Sequence, residues 1–256
     1  MNTDPRNPII AVRSFGDDPS LVARLGKAFI EGVQDHGMIA CAKHFPGHGG
    51  TDVDSHMDMP VVMSSREELE WTDLFPFRQA VEAGVGAVMT AHIRTPALDP
   101  DTEYPATLSR AVSTGLLRED MGFDGLIMTD CMRMDGITKY FPPGEAELRS
   151  LLAGSDIILG PFLEEAYARI LDAARSGELP MERLDASIRR ILKAKAWCGL
   201  DENRFVDTGE LPYRIATART RDDARRIAES SIKLLKNEDG FLRSEEHTSE
   251  LQSPNT

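Results

Sequence analysis

At 256 residues and a net charge of −13, the chain is long enough for one large α/β unit. It is also too acidic to suit nucleic acid or an anionic membrane surface, because no basic stripe offsets phosphate repulsion. Its three cysteines, Cys41, Cys131 and Cys198, are far apart and odd in number, which suggests neither a disulfide framework nor a zinc site. No apolar run approaches the roughly 20 residues of a membrane span.

Taken in chain order, the opening Asn2 to Ile10 carries no periodic pattern. Amphipathic periodicity then predicts helices over Pro19–Gln34, Arg66–Ala83, Ser109–Met121, Leu163–Ser176 and Met181–Cys198. Short, near-continuous apolar runs predict strands at Ile39–Ala42, Gly86–Ala91, Gly125–Thr129 and Asp156–Leu159. Runs of that kind suit strands buried on both faces of a parallel sheet. From Gly199 to Arg214 the pattern dissolves into a polar linker. The alternation predicts an α/β fold with a parallel sheet joined by right-handed crossovers.

Two segments concentrate chemistry. The first runs Lys43-His44-Phe45-Pro46-Gly47-His48-Gly49 and, after a short gap, Asp54-Ser55-His56. A loop so dense in ionisable groups is costly to build unless it meets a substrate. Its residues alone leave three readings open. His56 beside Asp54 can give and take a proton near neutrality; His44, His48, Asp54 and His56 can ligate zinc; or Asp54 closes a surface turn. The second segment runs from Gly122-Phe123-Asp124-Gly125 to Thr129-Asp130-Cys131-Met132-Arg133-Met134. It places Asp130 at the end of an apolar strand, where a carboxylate either caps the next helix or does chemistry.

Both segments resemble the signatures of glycoside hydrolase family 3, in its β-N-acetylglucosaminidase (β-hexosaminidase) branch. Members carry KHFPGHG, four variable residues and then DSH, and every fixed position matches. The second segment resembles the family's GFxG…SD-x-L-x-M, with Thr129 in place of the usual Ser and Met132 in place of Leu. The resemblance implies a (β/α)8 TIM barrel, of which only the C-terminal part is expected here. It implies Asp130 as nucleophile, His56 with Asp54 as the acid/base dyad, and Arg13, Lys43 and His44 as ligands of sugar hydroxyls. His92, at another strand end, is expected to line the pocket.

The activity so implied is a retaining hydrolase that removes terminal β-linked N-acetylglucosamine from peptidoglycan- or chitin-derived fragments, with no cofactor and no metal. The partner is a small carbohydrate. Phosphorolysis of the same bond, a β-glucosidase activity, a metal-dependent barrel hydrolase and an inactive chain are the alternatives. The cytoplasm is the favoured compartment, with an exported form left open.

The boundaries expected from the same resemblance are an incomplete barrel over 1–198 and, over 199–242, a linker leading into a second α/β domain. Upstream β/α units, with a substrate-binding Asp, are expected to precede Met1. Residues Arg243 to Ser253 read, codon for codon, as the translation of a common sequencing adapter, so 243–256 is set aside from the fold. A half barrel with two open strand edges is expected to be poorly stable alone.

Overall fold

The computed structural model describes residues 1–51, 58–101 and 103–234. The chain divides into two compact units, Met1–Arg204 and Phe205–Thr256. Among the described residues of the first, four parallel strands form one sheet: β1 (Cys41–Phe45), β2 (Ala87–Thr90), β3 (Leu126–Cys131) and β4 (Ile157–Leu159), ordered β1-β2-β3-β4. This is the parallel α/β arrangement that the sequence predicts.

Helices fill the connections. They are α1 (Pro19–Gln34), α2 (Arg66–Trp71), α3 (Leu74–Glu82), a π-type helix over Ala111–Asp120, α4 (Asp135–Thr138), α5 (Glu145–Ala153), α6 (Leu163–Ser176) and α7 (Met181–Trp197). In the second unit, α8 (Leu211–Arg214) and α9 (Ala218–Ser231) follow.

Several of these boundaries follow from local chemistry. Asp18 caps α1, its carboxylate accepting the Leu21 amide at 2.7 Å, and Pro19 takes the first helical position, where no amide donor is needed. Ser65 and Glu68 cap α2 reciprocally, each side chain meeting the other's backbone amide. Gly177 ends α6 at φ 82°, a left-handed turn that glycine takes without a Cβ clash.

Three expectations are corrected. The helix expected over Arg66–Ala83 is two helices, because Pro76 cannot donate to the carbonyl of Thr72 and its ring crowds that group. The first strand lies at Cys41–Phe45 rather than Ile39–Ala42, so Lys43 and His44 are inside it. Part of the stretch read as linker, Leu211–Arg214, is a short helix. Helix α5 was not anticipated: Ala146, Glu147, Leu148, Ser150, Leu151 and Ala153 are all buried, so it shows no amphipathic period.

The main core lies between the sheet and the helices on one face. Phe45, Val88 and Ile127, each fully buried, meet Ile30 of α1, Leu74 and Phe77 of α3, and Leu116 and Leu117 of the π-type helix. Burying side chains of this size stabilises the fold by about 1.5–3 kcal/mol each. The outer strands β1 and β4 each have one neighbour among the described residues.

At the opposite end of the sheet from the Lys43–Asp130 segments sits a buried charge cluster. Asp156, just before β4, has a side chain with no exposed surface. Its Oδ1 accepts the Ser187 hydroxyl at 2.6 Å, and its Oδ2 accepts the Ile127 amide at 3.1 Å and the Arg118 guanidinium at 2.9 Å. Arg190 and Arg183 stand 3.4 and 3.6 Å from Oδ1. Burial lowers the pKa of Arg118 to about 10, with Asp156 opposing the shift. The cluster ties α7 and the π-type helix to the base of β3 and β4.

Candidate active site

The C-terminal ends of β1, β2 and β3 lie side by side, and there the sequence motifs meet. In parallel α/β folds this is the end that carries function. Asp130 is at the end of β3 with a side chain 19% exposed; its Oδ1 accepts the Cys131 amide at 2.8 Å. Its Oδ2 lies 3.5 Å from Nε2 of His44, which projects from β1 and is 7% exposed.

The contact has the spacing of an ion pair, yet burial dominates it. Desolvation drives the His44 pKa down to about 3, against the pull of Asp130 and with help from the charges of Lys43 and Arg13 and from His48. His44 is therefore neutral near pH 7. Its Nδ1 is buried and has no hydrogen-bond partner.

Arg13, Lys43 and His44 line a single cavity of about 250 Å³, together with Ser14, Phe15 and Asp73. Lys43 and Arg13 are exposed, and Arg13 donates to the Ile9 carbonyl at 3.3 Å. Asp130 is not among the residues that line the cavity; it borders the site through His44. The structure thus brings together four of the seven residues expected at the site; His92, expected to line the pocket, is not among those that line this cavity.

The other two, Asp54 and His56, lie outside the described residues. The flanks of their loop are described. On one side, buried His48 hydrogen-bonds Thr51 at 2.9 Å, and Asn7 donates to the His48 carbonyl at 2.7 Å. On the other, Pro60 to Val62 pairs with Arg94, and Tyr140 donates its hydroxyl to Asp58.

Asp73 went unnoticed in the sequence because it stands inside what reads as one helix. It is buried, its Oδ1 has no partner, and burial raises its pKa. It packs against Gly47, where a Cβ would lie 2.4 Å from the Asp73 side chain. At φ 143° the same position disfavours any other residue, so the motif needs its glycine there.

Among the described residues no cluster of three or more His, Cys, Asp or Glu is placed to hold a metal, and no helix is long and apolar enough to cross a membrane.

Residues 1–194 match the glycosyl hydrolase family 3 N terminal domain. The chain belongs to glycosyl hydrolase family 3. Beta-hexosaminidase A of Pseudoalteromonas piscicida is 38% identical over 215 residues, covering 76% of this chain and 36% of that protein. The structure of a family 3 beta-N-acetylglucosaminidase from Paenibacillus sp. str. FPU-7 superposes with a TM-score of 0.88 at 41% identity, covering 95% of this chain and 47% of that one. A beta-glucoside phosphorylase, BglX, superposes with a TM-score of 0.88 at 32% identity, over 94% of this chain and 45% of that one. The chain spans less than half the length of each of these relatives. Within the family 3 fold, then, the cavity and the Asp130–His44 pair stand at the strand ends of a domain whose relatives are named as glycosidases and a phosphorylase.

Proposed function

We propose that this family 3 domain serves a retaining β-N-acetylglucosaminidase acting on small N-acetylglucosaminides such as those from peptidoglycan or chitin. The observation that carries the reading is the Asp130 carboxylate at a strand end, facing neutral His44 beside a cavity with two cationic side chains. A carboxylate so placed can attack the anomeric carbon as the bond to the leaving oxygen breaks, forming a glycosyl ester. His56, oriented by Asp54, would hand the leaving oxygen its proton and then take one from the water that cleaves the ester. The buried Nδ1 of neutral His44, an acceptor without a donor when Nε2 carries the proton, suits a sugar hydroxyl. Arg13 and Lys43 would supply charged donors to the same sugar.

The test is hydrolysis of an aryl N-acetyl-β-glucosaminide with Asp130→Asn and His56→Ala as controls. Product first released as the β-anomer, with turnover lost in both variants, supports the reading; α-anomer or unaffected variants would sink it. A second reading, phosphorolysis, is favoured by the likeness to BglX and by the positive charge of Arg13 and Lys43 at the cavity. It predicts a sugar 1-phosphate as product when inorganic phosphate is present.

A further inference from the structure

We infer that His92 is a positioning residue for the Asp130 nucleophile. The inference rests on the glycosidase reading above and deepens it.

The β2–β3 ladder pairs Thr90 with Thr129, and β2 ends there. Continuing the register sets His92 level with Cys131, the residue that follows Asp130. The Cys131 carbonyl lies beyond the end of the ladder, where the Met134 amide donates to it at 3.2 Å. The His92 side chain gives the same carbonyl a second and shorter partner, from the side of β2, with Nε2 2.9 Å from the Cys131 oxygen. A carbonyl only accepts, so Nε2 carries a proton. On the other side of the ring, Nδ1 lies 2.9 Å from the Thr107 hydroxyl. That hydroxyl donates to the Ala91 carbonyl at 2.8 Å, so toward the ring it accepts from Nδ1–H. His92 and Thr107 have no exposed surface, so water offers no substitute for either bond.

The strand is held at two further points. Thr90 donates to the Met128 carbonyl at 3.3 Å, and the Leu159 amide donates to the Thr129 hydroxyl at 3.0 Å. Those bonds fix the approach to Asp130 from below. Beyond Asp130 the Met132 amide donates to the Leu159 carbonyl at 2.9 Å and His92 is the side chain that reaches the Cys131 carbonyl, so the ring adds a restraint on how far the carboxylate can pivot. An error of about 1 Å in a reacting group costs on the order of 10²-fold in rate.

The experiment uses the full chain and a 5-fluoro N-acetylglucosaminyl fluoride. In this reagent the Asp130 carboxylate displaces fluoride from the anomeric carbon, the C–F bond breaks as the ester C–O bond forms, and fluoride leaves. The rate of mass gain on the protein therefore reports nucleophile placement. His92→Phe keeps the ring's bulk and removes both hydrogen bonds; His92→Gln returns an amide donor near the Nε2 position. Thr107→Val removes the partner of Nδ1, along with the hydroxyl's bond to the Ala91 carbonyl that already receives the Thr107 amide, and serves if the Phe variant does not fold.

The expected result is labelling slowed on the order of 10²-fold in His92→Phe, several-fold in Thr107→Val and least in His92→Gln. Aryl-glycoside KM should stay within about twofold of wild type while kcat falls. Equal labelling of wild type and folded variants would overturn the positioning role alone. So would equal losses in His92→Phe and His92→Gln, or a change confined to KM. No label on the wild-type chain would instead remove the glycosidase reading, and this inference with it.

Discussion

Two carboxylates, one at each end of the same sheet, show how a fold separates holding from reacting. Asp156 has both oxygens filled by a hydroxyl, a backbone amide and guanidinium groups, and no exposed surface. Asp130 keeps 19% of its side chain exposed, and apart from its own neighbour's amide it faces a histidine that burial has left neutral. The first carboxylate is saturated and the second is underused. A saturated carboxylate anchors helices but is a poor nucleophile, since its lone pairs are taken. An underused one is available to a substrate.

The largest test of this contrast is Asp130→Asn. Turnover on an aryl N-acetyl-β-glucosaminide should fall on the order of 10⁴-fold, while the urea unfolding midpoint barely moves. A stability loss as large as that of an Asp156 variant would erase the distinction. Next comes Asp156→Ala, which strands three arginines around an empty site. It should cost about 3–5 kcal/mol in denaturant unfolding, with the turnover of the molecules that remain folded unchanged.

A smaller effect is expected from pH. His44 has its pKa depressed to about 3 in the fold, against about 6.5 for an ordinary histidine. Between those values the unfolded chain binds a proton that the folded chain refuses, so stability falls as pH drops below about 6.5. His44→Gln should flatten that part of a plot of urea midpoint against pH; an unchanged slope would mean that His44 is charged in the fold. The smallest change is Arg190→Met. Its Nε lies 3.7 Å from the exposed Asp124 carboxylate, and its contact to Asp156 is the loosest hydrogen bond of the cluster, so the cost should stay below about 1 kcal/mol by the same urea assay.

Legibility in the sequence followed the same division. Helices α1 and α6 run over the predicted spans because their ends carry explicit signals, Asp18-Pro19 at one start and Gly177 at one stop. Asp130 and His44 stood out because the motifs that carry them resemble the family's two signatures. The Asp156 cluster did not, because its partners come from sequence positions as far apart as Arg118 and Arg190, and no local pattern joins them. Helix α5, buried on most sides, shows no amphipathic period, and Asp73 was hidden inside a stretch that reads as one helix. His92 was read as a residue lining a pocket, and its hydrogen bonds across to the next strand became visible only with the register of β2 against β3.

The strand order β1-β2-β3-β4 also bears on how the molecule assembles. Each strand pairs with the one made just before it, so every new β/α unit finds a finished template as it emerges and need not wait for distant chain. Among the described residues β1 and β4 have one strand neighbour each, and β2 and β3 have two. Amide hydrogens of β2 and β3 should therefore exchange with solvent most slowly, with β1 and β4 opening first. Asp130 sits on one of the two slow strands, and the carboxylate that must stay poised for chemistry is carried by the part of the sheet that opens least.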